Sequence, residues 1–110
     1  MTDEDTRILT ALGGIEGADV VTAWPREPGL IPVVMLTLAG ESAADRRDDR
    51  IYLIEYEYYV RVFAAKAADL RRVRAAVDDV MDSLGYACVL RWDEPGDGWR
   101  QTAMRYRIYL

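Results

Sequence analysis

Between Arg50 and Ala64 the chain reads RIYLIEYEYYVRVFA. Tyr52, Ile54, Tyr56, Tyr58, Val60 and Val62 share one parity, and Leu53, Glu55, Glu57, Tyr59 and Arg61 share the other. A period of two with one apolar and one mixed face predicts a half-buried antiparallel strand. At ~3.3 Å per residue the run spans roughly 45 Å, more than double the usual ~17–20 Å. A small domain cannot cover all of that. Part of the strand is therefore expected to project or to pair with another chain.

The flanking pattern supplies the remaining elements. Asp3 or Asp5 caps a short first helix, with Thr2 a further candidate. Ile8, Leu9 and Leu12 form its apolar side and Gly13-Gly14 ends it. Val20–Trp24 reads as a short strand, followed by a turn at Pro25 and Pro28-Gly29. Trp24 is read as covering the edge of the core, in preference to standing as an exposed anchor. Pro32–Leu38 predicts a second strand, joined to the long one by a polar, charged and mobile loop over Gly40–Asp49.

Lys66–Leu84 carries Leu70, Val73, Val77, Val80 and Leu84 at alternating steps of three and four. This is one apolar helical stripe, with Arg74 and Asp78 paired on the outer side and Gly85 as terminator. Tyr86–Trp92 is a fourth strand, DEPGDG a hairpin turn and Trp99–Leu110 a last strand. Thr102, Met104, Tyr106, Ile108 and Leu110 make the last strand's apolar face. On its other face Arg105 and Arg107 are set to meet Glu57 and Glu55 across an antiparallel ladder, where exposed pairs contribute ~0.2–1 kcal/mol each. The predicted fold is α+β over residues 1–110 as one domain. It has a single antiparallel sheet of about five strands, a mixed pairing remaining open. Two helices pack on one face, and the second hairpin is long.

Composition narrows the chemistry. The formal net charge of −5 argues against a general phosphate-backbone binder. Arg71, Arg72 and Arg74, and Arg100, Arg105 and Arg107, are read as solvated faces in preference to a local nucleic-acid contact. There is no histidine, and Cys88 is the single cysteine. That removes the usual zinc sites, disulfides and histidine-based catalysis. In YACVLRW the Cys88 thiol reads as a small hydrophobe with no base to activate it. Glu41, Asp45, Asp48 and Asp49 lack the oxygen spacing of a calcium loop, and DEPGDG lacks the Lys-Ser/Thr of a phosphate loop. No residue is assigned a catalytic, cofactor-binding or metal-binding role. No apolar run reaches the ~18–20 residues of a membrane span, and MTDEDT is not a signal peptide, so the chain is expected to be cytosolic when made.

The second half carries a resemblance. EYEYYVRVFA, a helix ending MDSLGY, a strand, a turn and then GWRQTAMRYRIYL resemble the tail terminator family of long-tailed bacteriophages and prophages. The ending is the most similar part: aromatic, Arg, a small polar pair, Met, Arg, aromatic, Arg. The resemblance covers roughly residues 50–110, and the amino-terminal half only by element order. It implies a structural virion protein without enzymatic activity. Such a protein forms a ring with itself, usually a hexamer, that ends tail-tube growth and joins tail to head. The implied partners are the tail tube protein and the head–tail connector proteins, with DNA only passing through the ring and no membrane. The implied place is the head–tail junction of the virion, after assembly in the host bacterial cytoplasm. Function would then lie in surfaces, with Glu55, Glu57, Arg105, Arg107, Trp99, Asp45, Arg46, Arg47 and Asp48 as candidate contacts to a neighbouring subunit or partner.

Two other readings remain open at this stage. One is a different head–tail connector or neck protein of the same architecture. The other is a small-ligand-binding domain with Tyr56, Tyr58, Trp92 and Tyr106 around a pocket, against which stands the simpler reading that these rings fill the core. An enzyme using Asp and Glu alone is the weakest, since the carboxylates fall on turns and solvated faces.

Overall fold

In the computed structural model the elements run α1 (Asp3–Leu12), β1 (Asp19–Val21), β2 (Val33–Arg47), β3 (Arg50–Ala64), α2 (Ala67–Ser83), β4 (Ala87–Pro95) and β5 (Arg100–Tyr109). The structure describes residues 2–25, 31–47, 50–95 and 98–110, and only the backbone at 42–47, 50–53 and 95. One open sheet has the strand order β1-β2-β3-β5-β4. β1 is parallel to β2, and the other three pairings are antiparallel. The sheet is therefore mixed, and the α+β class predicted from the alternation holds.

Both helices lie on one face because the strand parities put the apolar residues there. β3 turns Tyr58, Val60 and Val62 towards the helices, flanked in register by Leu38, Leu36 and Val34 of β2 and by Tyr106, Met104 and Thr102 of β5. Ile8 and Leu12 of α1, and Val73, Val77 and Met81 of α2, are wholly buried against this layer. Full burial of such a side chain is worth about 1.5–3 kcal/mol as an upper bound. The stripe predicted for the second helix is thus the core stripe, and Gly85, at φ 94°, ends α2 in a conformation that favours glycine.

The first helix is capped by Thr2, the third of the candidates. Asp5 N–H donates to Thr2 Oγ1 at 3.1 Å and Thr2 N–H to Asp5 Oδ2 at 3.0 Å, a reciprocal capping box. The remaining Asp5 oxygen accepts from Tyr58 O–H at 2.5 Å, while Glu4 Oε1 accepts from Tyr86 O–H at 3.0 Å and from Arg7 Nε at 2.9 Å. The acidic first turn therefore ties α1 to β3 and to the α2–β4 junction. Burial and then these carboxylates push the Tyr58 and Tyr86 hydroxyls well above the ordinary range, so both remain protonated donors.

The stretch expected to be a mobile loop is largely strand. β2 continues to Arg47, which pairs with Arg50, and residues 48 and 49 lie outside the description. Register shifts at Leu38/Gly40, Ala43/Asp45 and Asp45/Arg46 accommodate the extra residues as bulges. β5 accompanies β3 only over Glu55–Ala64, after which Ile54 and Leu110 exchange two backbone hydrogen bonds of 2.8 Å. β1 accompanies β2 only over Val33–Met35. Beyond Ile54 the hairpin is a two-stranded ribbon among the described residues. It accounts for the elongated outline of 53 × 25 × 22 Å. The long strand does project, as its length predicted.

Smaller differences follow from packing. β1 ends at Val21, so Trp24 lies outside the predicted Val20–Trp24 strand. β4 runs on to Pro95, three residues past the predicted end at Trp92, and takes in the start of the expected turn. Arg74 and Asp78 do not pair with each other. Arg74 reaches Asp93 at 3.6 Å, and Asp78 takes Arg91 at 2.6 Å and the Tyr106 hydroxyl at 2.5 Å, because β4 and β5 pack beside that turn of α2.

Candidate functional site

A sheet with helices on one face commonly turns a polar face to water on the other. Here the helix-free face is aromatic. By register it carries Tyr59, Arg61 and Phe63 of β3, Val33 and Met35 of β2, and Ala103 and Arg105 of β5. Phe63 packs edge-on against Trp24 at 5.9 Å and Trp99 at 5.5 Å between ring centroids, and Tyr59 meets Trp92 edge-on at 6.0 Å. All three tryptophans and the single phenylalanine of the chain gather on the side that no described helix covers. Met35, Phe63 and Ala103 are buried on this face, while Trp24 is 61% exposed.

Arginines lie on these rings. The Arg61 guanidinium carbon is 5.0 Å from the centre of Trp24 and 4.8 Å from that of Tyr59, and Arg105 stands 5.5 Å from Tyr59. Such stacking holds a guanidinium in place with little hydration to lose. Trp, Tyr and Arg around a sealed floor is the composition from which interface hot spots are drawn.

The Glu/Arg cluster predicted from strand parity sits next to these rings. Glu57 is opposite Arg107 in the β3–β5 register and also takes diagonal Arg105, from Nε to Oε2. Arg107 holds Glu57 Oε1 at 2.8 Å and Glu55 Oε1 at 2.8 Å. The four residues therefore meet, but not as two separate exposed pairs. Glu57 is 7% exposed, sealed by both guanidinium groups, so the expectation of a wholly solvated set is corrected. Burial alone would raise the Glu57 carboxyl; its hydrogen bonds with Glu55, Arg107 and Arg105 outweigh that and hold it below the ordinary value. Glu55 moves the other way, first through its hydrogen bond with Glu57. Glu57, held by both guanidinium groups, is thus the anchor of the cluster, and Glu55, reached by Arg107 alone, is its outer member.

Trp99 joins the surface through Phe63. Asp45, Arg46 and Arg47 lie on the projecting ribbon, in backbone register with Leu53, Ile51 and Arg50, and Asp48 falls outside the described residues. The predicted set is thus divided between the sheet face and the ribbon. The sequence reading missed Trp24, Tyr59, Arg61, Phe63 and Trp92 as parts of one surface. The available signal was the odd-parity row Tyr59, Arg61, Phe63 in a strand whose even row already filled a core.

The proposed aromatic pocket does not form. Tyr58 and Tyr106 are buried on the helix side, whereas Trp92 lies on the opposite face of the sheet. Cys88 is exposed rather than a core hydrophobe, because β4 is an edge strand that breaks register between Cys88 and Leu90. Among the described residues no group of three or more acidic or cysteine side chains is arranged to hold a metal ion. No described helix is long and apolar enough to cross a membrane.

No protein-family model matches the sequence, and no curated protein matches it either. Among solved structures, the fold is similar to that of a chain in the virion of a native gene transfer agent particle. The TM-score is 0.52 at 19% identity, over 93% of this chain and 82% of that one.

Proposed function

We propose that this chain is a structural protein of a phage-like particle, and that it assembles with itself into a ring that ends the tail tube and joins it to the head. The observation that carries the reading is the similarity in fold, across 93% of the chain, to a component of a gene transfer agent virion. Two features of this chain support it. A sheet face bearing all three tryptophans with Arg61 and Arg105 is what a subunit contact needs. A hairpin that outreaches its own domain suits a subunit that engages a neighbour. The ending GWRQTAMRYRIYL supports the tail terminator in particular. Among the described residues the embedded carboxylate Glu57 is neutralised by two guanidinium groups, an arrangement that suits a structural part better than a chemical one.

In this reading the aromatic face is the central contact and the Glu/Arg cluster its polar flank. Contacts of one patch with a different patch on the next copy are heterologous, and they close into a ring when the rotation per subunit divides the circle. Deleting the coding sequence from its parent genome tests the role. Tails that grow past their normal length, with heads accumulating apart, are expected. Tails of normal length left unjoined to heads would assign the chain to another connector position. Intact particles would contradict the proposal.

A further inference from the structure

A second surface, away from the aromatic face, is formed by the outer edge of β2. Asp19 N–H donates to Pro32 C=O at 2.9 Å, so the Pro32 carbonyl points towards β1. Backbone groups alternate sides along a strand, so those of Val34, Leu36 and Leu38 point the same way. β1, however, stops at Val21, opposite Met35. The N–H and C=O of Leu38 therefore face no strand among the described residues, and the register shift after Leu38 leaves them standing at the rim.

Beside this edge runs a groove of about 320 Å³ between α1 and β2, lined by Leu9, Leu36, Leu38 and Tyr58 with Asp5 and Thr22 at its margins. Leu36 and Tyr58 form a buried floor, and the Leu38 side chain is 41% exposed. Main-chain groups without a strand partner among the described residues, in line with a short strand and beside a groove whose floor is buried Leu36 and Tyr58, fit an incoming extended segment rather than a helix. The ladder would supply main-chain bonds, and an alternate side chain would enter the groove.

The same chain carries an element with the converse need. Its hairpin beyond Ile54 has no covering layer among the described residues, and a two-stranded ribbon standing alone in water is marginal. We infer that the free edge of β2 beside α1 receives the projecting β2–β3 hairpin of a second copy, one of whose strands extends the sheet in line with β1. The inference rests on the self-assembly proposed above and adds to it the receiving surface and the inserted element. The contact is heterologous, hairpin to edge.

Hydrogen exchange at the Leu38 amide reads this contact directly, with the Val62 amide in the sheet interior as reference. It is measured in the full chain at assembling and at dissociating concentrations, and in dissociated chain saturated with a cyclic peptide of residues 42–53. Two variants accompany it. Leu38→Pro removes the edge donor, and an arm-shortened chain joins the paired Ser42 and Glu55 through Asn-Gly in place of residues 43–54. At least tenfold slowing at Leu38 is expected on assembly and on peptide addition. Leu38→Pro, folded by circular dichroism, should bind no peptide, and the arm-shortened chain should remain monomeric. Assembly of the full chain with Leu38 exchange unchanged would overturn the inference while leaving self-assembly standing. So would an arm-shortened chain that assembles and slows Leu38 equally, since another segment would then fill the edge. A full chain that never assembles, yet slows at Leu38 with the peptide, would defeat the ring and support the hairpin contact. Failure of both arms would end both.

Discussion

Glu57→Gln tests whether the buried carboxylate holds the β3–β5 pairing or merely decorates it. The substitution keeps the shape and removes the charge, so Arg105 and Arg107 are left to share Glu55. Two limits bracket the cost. Fully exposed pairs are worth ~0–1 kcal/mol, and breaking a fully buried pair costs ~3–5 kcal/mol. Glu57 is 7% exposed, whereas the Arg105 and Arg107 side chains are 35% and 37% exposed and regain water when released. The cost therefore falls between the limits, at about 2 kcal/mol. For a domain of this size that lowers Tm by roughly 8–12 °C. Thermal unfolding by circular dichroism measures it, with Glu41→Gln, an exposed glutamate, as a control expected within about 0.5 kcal/mol of the parent. Equal melting of Glu57→Gln and the control would refute the reasoning and return the cluster to the solvated surface. The same geometry warns against reversing both arginines to glutamate as an assembly test, because four carboxylates would then crowd the site and the domain is expected to unfold.

Other outcomes follow from single features. Thr2→Ala removes one half of the capping box and is expected to cost ~1 kcal/mol in denaturant unfolding, with α1 amides exchanging faster than those of β3. Gly85→Ala forces a side chain into φ 94° with its Cβ 3.3 Å from Ile108 Cδ1, and should cost more than ~1 kcal/mol by the same unfolding measurement. Asp5 and Glu57 are both held below their ordinary values of 3.8 and 4.5. The stability they add is full above those values and is lost as pH falls through the lower folded values; Tm should drop on acidification below about pH 4.5, less steeply in Glu57→Gln.

The legible parts of the fold were those in which one face of an element meets one core. The even row of β3 and the three-four stripe of α2 each report a single buried face, and both survive in the structure. The distal half of β2 was not legible, because a projecting ribbon has no core side to impose alternation, and GESAADRR has a loop's composition. Its strand state comes from the ladder with β3. The length of β3 was the available clue, since a strand that long needs a partner of similar length. The site was legible in its charged part, because strand parity alone brings Glu55, Glu57, Arg105 and Arg107 to one face. Its aromatic part was not, since Trp24 is remote in sequence from Trp92 and Trp99, and the three gather only around Phe63 and Tyr59 of β3. Cys88 was misread for a related reason: an apolar local context does not reveal that β4 would be an edge strand.

The central proposal is that this chain assembles into a ring through its helix-free aromatic face. Native mass spectrometry over a dilution series, run on the parent chain beside Trp24→Ala with Arg61→Ala, tests it most directly. The account predicts one closed oligomer of defined size for the parent, dissociating on dilution, and a folded monomer for the double variant at the same concentrations. A parent chain that stays monomeric at every concentration, or a double variant that forms the same oligomer with the same midpoint, would contradict it.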